Sequence, residues 1–458
     1  MSQRHRTLAD RTTKHSAARW ALAPSSWSRT THGVTVVIAC LAFAWIGACS
    51  ASSSELEDSP SSSSGSTSSG SGGGLSLDAG QEGGSGPGPA VAYLQGKVYA
   101  PEGTIPISGA LVYTTQGTPD PIPQKVHCSK CVDIPANVHH TLSEADGSFI
   151  VGVPTVGDWN LVVQKGTFRR TRSIHVADEG ATVQVDAQST TLPNHTDEAA
   201  GDYIPRIAVS YGIWDDIQDS LAKLGLGQVD STGNLIPGTE PFDIYEDSGK
   251  PPGSQLLTDY DTTLSNYHIV FFPCTDSWPN SYLLDPSVYN NLRNYVQAGG
   301  RLYATDYSYD ILRRAFDPEM PLNWLGDMGG FDDADGFHYD APATVNDPGL
   351  SEWLAVQGIT QFTLEDNWSV VENVNAYTAP NEDNEQESLT PTVWVSGDVP
   401  GTGLRPCTTS FQYGCGRALF STYHTEAWGV ETLMTQERAL LYIILEVAVC
   451  IGDFPPPR

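Results

Sequence analysis

Two short segments carry the side chains that could do chemistry in this chain. Segment 298–309 ends a helix at two glycines, continues as an apolar strand and turns sharply at Asp306. Segment 423–426 ends another strand and places His424 and Glu426 two residues apart. A carboxylate can act as a base or attack a glycosyl or phosphoryl centre, and an imidazole exchanges protons near neutral pH. We therefore take Asp306, His424 and Glu426 as candidate catalytic residues, with a plain ion pair between Asp306 and His424 as the alternative.

The elements around these segments predict how they are positioned. From residue 202 to 455, apolar strands such as His268–Phe272 alternate with helices, which is typical of an α/β domain with a flavodoxin-like parallel sheet. Ligands of such sheets bind beyond the carboxyl ends of the strands. Cys274 and Asp306 each follow one of these strands, so we expect them to share one edge of the sheet with His424.

The order of these elements resembles the class I glutamine amidotransferase-like family, including its ThuA-type relatives, over about residues 204–450. The specific parts are the Gly-Gly strand and turn at 299–309 and the His-x-Glu at 424–426. The family places a nucleophilic Cys on that turn, whereas this chain has Asp306, followed by Tyr307. The resemblance implies an amidotransferase-like domain without its thiol, which is a pseudoenzyme for amide hydrolysis.

Four further side chains near this edge are candidate binding residues. Aromatic faces beside carboxylates suit sugar rings, although aromatic residues are equally common in cores. The cysteine stands where the family has a glycine of the oxyanion loop. A buried or disulfide-bonded thiol is the simpler interpretation of that cysteine, and a relocated nucleophile is the alternative. The candidate binding residues are Cys274, Trp278, Tyr307 and Tyr309.

Residues 90–195 predict a separate all-β domain. Short alternating strands are divided by turn signals, among them Asp146-Gly147 directly before a strand. The order of these pieces resembles the carboxypeptidase regulatory-like domain, whose fold is a transthyretin-like sandwich close to carbohydrate-binding-like folds. The resemblance implies an accessory or binding module without a catalytic set of its own.

The N-terminal residues predict export and anchoring. Residues 1–48 combine a basic region with an apolar run that is short for a membrane span of about 20 residues. The run ends in Ile46-Gly-Ala-Cys49, which resembles a bacterial lipobox and implies that Cys49 is lipidated, with a plain signal peptide as the alternative. Residues 49–89 are rich in Ser and Gly and predict a disordered linker. We expect the protein to be tethered to the outer membrane.

The remaining cysteines predict disulfides in an oxidising compartment. We expect Cys407 to pair with Cys415, because that bridge closes a short loop just before a strand. Cys128 and Cys131 have the spacing of a local disulfide, with a redox pair or a metal site as alternatives.

An acidic insertion offers one candidate cation site. Residues 331–336 and Asp340 supply hard oxygen ligands that could bind calcium, but they lack the spacing of an EF-hand loop. Acidic loops are usually solvated, so we predict no metal and no cofactor.

The net charge of −30 excludes a nucleic-acid partner, because phosphate binding needs a positive surface. We therefore predict a non-catalytic envelope protein that binds a carbohydrate or a protein partner. The alternative is a hydrolase that uses Asp306, His424 and Glu426, or Cys274, on a glycan or an ester.

Overall fold

The computed structural model describes residues 88–128, 134–135, 137–246, 251–275, 278–331, 334, 336–425 and 432–446. The fold is mixed α/β and contains several sheets. Among the described residues, no helix combines the length and the apolar character needed to cross a membrane.

Two sheets form from the strands that come first in the chain. One has the order β4-β1-β7 and the other the order β3-β2-β5-β6-β8. Leu94, Val112 and Leu161 of these sheets are fully buried in one hydrophobic cluster. Gly147 makes the turn into β4 with φ of +79°, a conformation that disfavours any residue with a Cβ. The strands are β1 (Ala92–Lys97), β2 (Leu111–Thr115), β3 (His140–Leu142), β4 (Ser148–Val153), β5 (Gly157–Lys165), β6 (Phe168–Val176), β7 (Thr182–Gln184) and β8 (Asp202–Tyr203).

A nine-stranded sheet dominates the rest of the described chain, with the order β10-β9-β11-β12-β21-β20-β19-β14-β15. The five strands from β10 to β21 are parallel, as predicted. The predicted parallel sheet accounts for only part of the observed one, because β20, β19, β14 and β15 pair antiparallel. Short turns join β19, β20 and β21 as hairpins, and hairpin neighbours need no crossover helix. These strands are β9 (Ile207–Ser210), β10 (Asp243–Tyr245), β11 (Ile269–Phe272), β12 (Arg301–Thr305), β14 (Tyr339–Val345), β15 (Thr363–Asn367), β19 (Thr392–Val399), β20 (Gly403–Tyr413) and β21 (Gly416–Ser421).

The described residues also form two small two-stranded sheets. They pair β13 (Leu322–Trp324) with β16 (Val371–Val374), and β17 (Tyr377–Pro380) with β18 (Gln386–Leu389).

The helix over Pro286–Gln297 begins at a typical capping residue. Asp285 accepts a hydrogen bond from the backbone of Ser287 at the start of α4, with proline in the first turn. Lys223 of α2 and Glu437 of α7 form a fully buried ion pair, with 3.0 Å between Nζ and Oε1. The helices are α1 (Ala187–Thr190), α2 (Ile217–Lys223), α3 (Ser254–Thr258), α4 (Pro286–Gln297), α5 (Tyr309–Phe316), α6 (Pro348–Val356) and α7 (Thr435–Glu446).

A disulfide joins Cys128, between β2 and β3, to Cys415 in the turn between β20 and β21. The predicted pairing of Cys407 with Cys415 is wrong, and Cys407 is a free, buried thiol. Cys407 lies within the extended strand β20, and the rest of that strand separates it from the turn by about 20 Å. The predicted bridge from Cys128 to Cys131 is also wrong, because Cys128 is already bonded; Cys131 itself lies outside the described residues.

Candidate functional site

The candidate site lies at the carboxyl ends of three adjacent parallel strands. β11 pairs with β12, and β12 pairs with β21, in register. The next residues along the chain bring Cys274, Asp306 and His424 to one edge, as the sequence predicts. Because three strands contribute one group each, the sheet itself sets the spacing of the site.

Asp306 lies at the centre of this group and is fully buried. Its Oδ2 is 3.2 Å from Nε2 of His424 and 3.9 Å from the Sγ of Cys274. Its backbone has φ of 48°, a left-handed conformation that costs a residue with a Cβ about 1–2 kcal/mol. The turn thereby aims the carboxylate at the imidazole, and strain of this kind concentrates at functional sites.

A buried carboxylate ties the three strand ends together. Asp215 accepts a hydrogen bond from Oγ1 of Thr305 at 2.7 Å and another from the backbone of Thr425 at 2.9 Å. Oγ1 of Thr305 in turn accepts from the backbone of Cys274 at 2.7 Å. This network fixes the residues on which the candidate side chains stand.

A second carboxylate, Asp366, orients the imidazole. Its Oδ2 lies 2.9 Å from Nδ1 of His424, and its φ of 61° makes it another left-handed residue with a Cβ. Glu426, the candidate catalytic residue expected beside His424, lies outside the described residues. Asp366 was missed because it belongs to the short polar strand β15. The Nε1 of Trp368 also donates to Asp366, at 3.1 Å.

The electrostatics of the central pair favour charges of opposite sign. Burial raises the pKa of Asp306 above its ordinary value, and His424 opposes this. Burial lowers the pKa of His424, but Asp306, Asp215 and Asp366 outweigh that effect and raise the pKa above its ordinary value. The three carboxylates thus favour the imidazolium form of His424, which cannot accept a proton as a general base.

The thiol of Cys274 is poorly suited to attack. The side chain is buried, and burial together with the Asp306 carboxylate raises the pKa of the thiol well above its ordinary value. Cys274 therefore remains a neutral thiol near neutral pH, which argues against a relocated nucleophile. Its Sγ and the ligand-type atoms of Asp306 and His424 lie within 4.8 Å of one another, so these three residues could hold a metal ion.

The predicted aromatic residues have different surroundings. Tyr309 is fully buried against Trp324, with ring centroids 5.0 Å apart, and offers no face to a ligand. Tyr307 is partly buried against Gly336 and lines a cavity of about 10 Å³, which has room for roughly one water molecule. The side chain of Trp278 is outside the described part of the chain.

Two exposed tryptophans flank the site and were not predicted. Trp214 is 55% exposed, and its backbone N–H donates to the carbonyl of Cys274 at 3.3 Å. Trp368 is 37% exposed and bonds to Asp366. The available signal was the position of Trp214 in the segment after β9, beyond the carboxyl end of a parallel strand.

The calcium hypothesis gains little from the structure. Asp332, Asp333 and Asp335 lie outside the described residues. Asp340 accepts a hydrogen bond from the backbone of Asp366 at 3.0 Å, so it supports the loop that orients His424.

No protein-family model matches this chain, and no curated protein matches it. Among solved structures, a cytoplasmic protein from Salmonella typhimurium is 13% identical over 54% of this chain and 100% of its own, with a TM-score of 0.32. A ThuA-like protein from Parabacteroides merdae is 15% identical over 55% of this chain and 92% of its own, with a TM-score of 0.30. A β-galactosidase from a Rahnella species is 12% identical over 55% of this chain and 33% of its own, with a TM-score of 0.25.

Proposed function

We propose that this protein is a non-catalytic binding protein of the cell envelope that recognises a saccharide at the carboxyl edge of its nine-stranded sheet. One observation supports the non-catalytic part above all. The pair of Asp306 and His424 is sealed from solvent, with exposures of 0% and 5%. A buried ion pair beside a neutral thiol lacks an available nucleophile and an available base.

The rim of the same edge supports saccharide binding. Trp214 and Trp368 are partly exposed, and their hydrogen bonds tie them to Cys274 and Asp366. The carboxylate of Asp366 is 39% exposed and can accept hydrogen bonds from hydroxyl groups. Apolar faces with a few placed polar groups are the usual composition of small-ligand sites.

Glycan binding tests this function directly. The purified protein is applied to a glycan array, and hits are measured by calorimetry with Trp214→Ala, Trp368→Ala and the control Leu142→Ala. Leu142 is 44% exposed on β3, away from this edge. We expect both tryptophan variants to lose at least tenfold in affinity and the control to lose none. Glycan binding that neither tryptophan variant weakens, or an array without hits, would reject the saccharide surface.

The anchoring is part of the same proposal. A lipid on Cys49, a linker over 49–89 and a carboxypeptidase regulatory-like sandwich over 90–195 would carry the amidotransferase-like domain away from the membrane. The test is metabolic labelling with an alkyne fatty acid, followed by membrane fractionation. We expect Cys49→Ser to abolish both the label and membrane retention, whereas a label that persists in this variant would contradict lipidation at Cys49.

A hydrolase is the second candidate, because His424 contacts Asp306 at 3.2 Å and Asp366 at 2.9 Å. That arrangement provides an acid, an imidazole and an orienting carboxylate. A panel of esterase and glycosidase substrates with wild type and Asp306→Asn decides between the two functions. Turnover that this substitution abolishes would overturn the non-catalytic assignment.

A further inference from the structure

We propose that Cys274, Asp306 and His424 form a binding site for a divalent transition-metal ion of the zinc class. The proposal does not depend on saccharide binding, since the three ligands are buried side chains. The three side chains come from three adjacent strand ends and offer one thiol, one carboxylate and one imidazole. This donor set suits zinc or cobalt, whereas calcium and magnesium prefer oxygen ligands alone.

The distances fit a tetrahedral ion. Bonds of about 2.0–2.3 Å from zinc to nitrogen, oxygen and sulfur place neighbouring ligand atoms about 3.3–3.5 Å apart. The observed separations are 3.2 Å between His424 and Asp306, and 3.9 Å between Cys274 and Asp306. The third pair, Cys274 and His424, lies within 4.8 Å, so the thiol and the imidazole would have to move closer together for one ion to bind all three side chains.

One buried polar atom at this position, Oδ1 of Asp306, has no hydrogen-bond partner among the described residues. Nε2 of His424 forms no regular hydrogen bond either and has Oδ2 of Asp306 at 3.2 Å as its ion-pair partner. Buried polar atoms are nearly always satisfied, so each such exception asks for a partner. A metal ion bound by both side chains would supply it.

The surrounding groups are arranged as around a metal ligand. Nδ1 of His424 contacts the carboxylate of Asp366, which fixes the ring orientation and directs Nε2 toward Asp306. The hydrogen bond from Cys274 to Thr305 holds the backbone of the cysteine. Coordination would release the thiol proton and the Nε2 proton to solvent. Three protein ligands leave a fourth tetrahedral position for water or for a donor of a bound ligand.

Cobalt titration tests the site, because cobalt reports thiolate coordination by near-ultraviolet charge transfer and tetrahedral geometry by visible absorption. The full chain is stripped with chelator under mild denaturation and refolded with Co²⁺, with competition by Zn²⁺. We expect a single bound ion whose charge-transfer band is lost in Cys274→Ser and retained in Cys407→Ser and Cys131→Ser. Cys407 is a matched control, since it is also a buried free thiol.

A positioning variant keeps the test decisive if Cys274→Ser fails to fold. Asp366→Asn removes no ligand, and we expect it to weaken metal affinity 10–100-fold while the cobalt spectrum keeps its shape. Three outcomes would overturn the proposal. They are no bound cobalt in the refolded wild type, a charge-transfer band that disappears only in Cys131→Ser, and unchanged affinity in Asp366→Asn.

Discussion

Removing the disulfide between Cys128 and Cys415 should destabilise the whole described fold. The bridge spans 287 residues of sequence, and the chain-entropy model gives roughly 5–6 kcal/mol for a loop of that length. Residual structure in the unfolded chain reduces such values, so we expect a loss of about 2–5 kcal/mol in Cys128→Ser/Cys415→Ser. Both cysteines are replaced together, so that no free thiol is left to form another bridge.

Urea unfolding measures this loss as a lower transition midpoint, and we expect a steeper slope because the unfolded chain exposes more surface without the bridge. The matched control is reductant: dithiothreitol should lower the midpoint of the wild type to that of the double variant and leave the double variant unchanged. The reasoning is refuted if wild type and double variant unfold at the same urea concentration, or if reductant shifts both equally.

Three further perturbations have defined outcomes. Glu437→Gln should lower the free energy of unfolding in urea by about 3–5 kcal/mol, because it leaves the buried ammonium of Lys223 without its carboxylate. Replacing both residues by leucine and methionine should recover most of this loss. Burial raises the pKa of Asp219 to about 6, so the protein gains stability as pH falls through 6 toward the pKa of the unfolded chain near 3.8. Asp219→Asn should flatten the dependence of the free energy of unfolding on pH in this range by roughly 1–2 kcal/mol. An unchanged curve would contradict this. Gly336→Ala should lower the melting temperature, at a cost of about 1–3 kcal/mol, because its Cβ would lie 1.8 Å from the hydroxyl of Tyr307; equal melting temperatures would show that the ring moves freely.

The meeting of Asp306 and His424 could be predicted, because both follow apolar strands. Strands that read as continuous apolar runs are buried and parallel, and their carboxyl ends meet at one edge. Asp366 reaches the same imidazole from β15, a strand at the antiparallel end of the sheet. A polar strand of five residues has no periodicity that would reveal it.

The disulfide shows a different limit. The two sulfurs of Cys128 and Cys415 meet through contacts between residues far apart in sequence, since the backbone of Val126 donates to Ser265 and that of Cys415 donates to Gln297. Nothing local to either cysteine specifies its partner, so proximity in sequence favoured the wrong pairings. The antiparallel strand β14 was missed for a related reason, since it contains Asp340, which was interpreted as part of an acidic insertion.

The position of Asp215 has a consequence for communication within the protein. Its neighbour in sequence, Trp214, is on the surface, while its own carboxylate is fully buried and bonded to Thr305 and Thr425. A sugar that displaced the indole of Trp214 would therefore also displace the adjacent residue, Asp215. The carboxylate of Asp215 holds the segments that follow two strands, through Thr305 and Thr425. Binding of a sugar at the surface would then change the positions of Asp306 and His424 in the interior, without any hinge or moving domain.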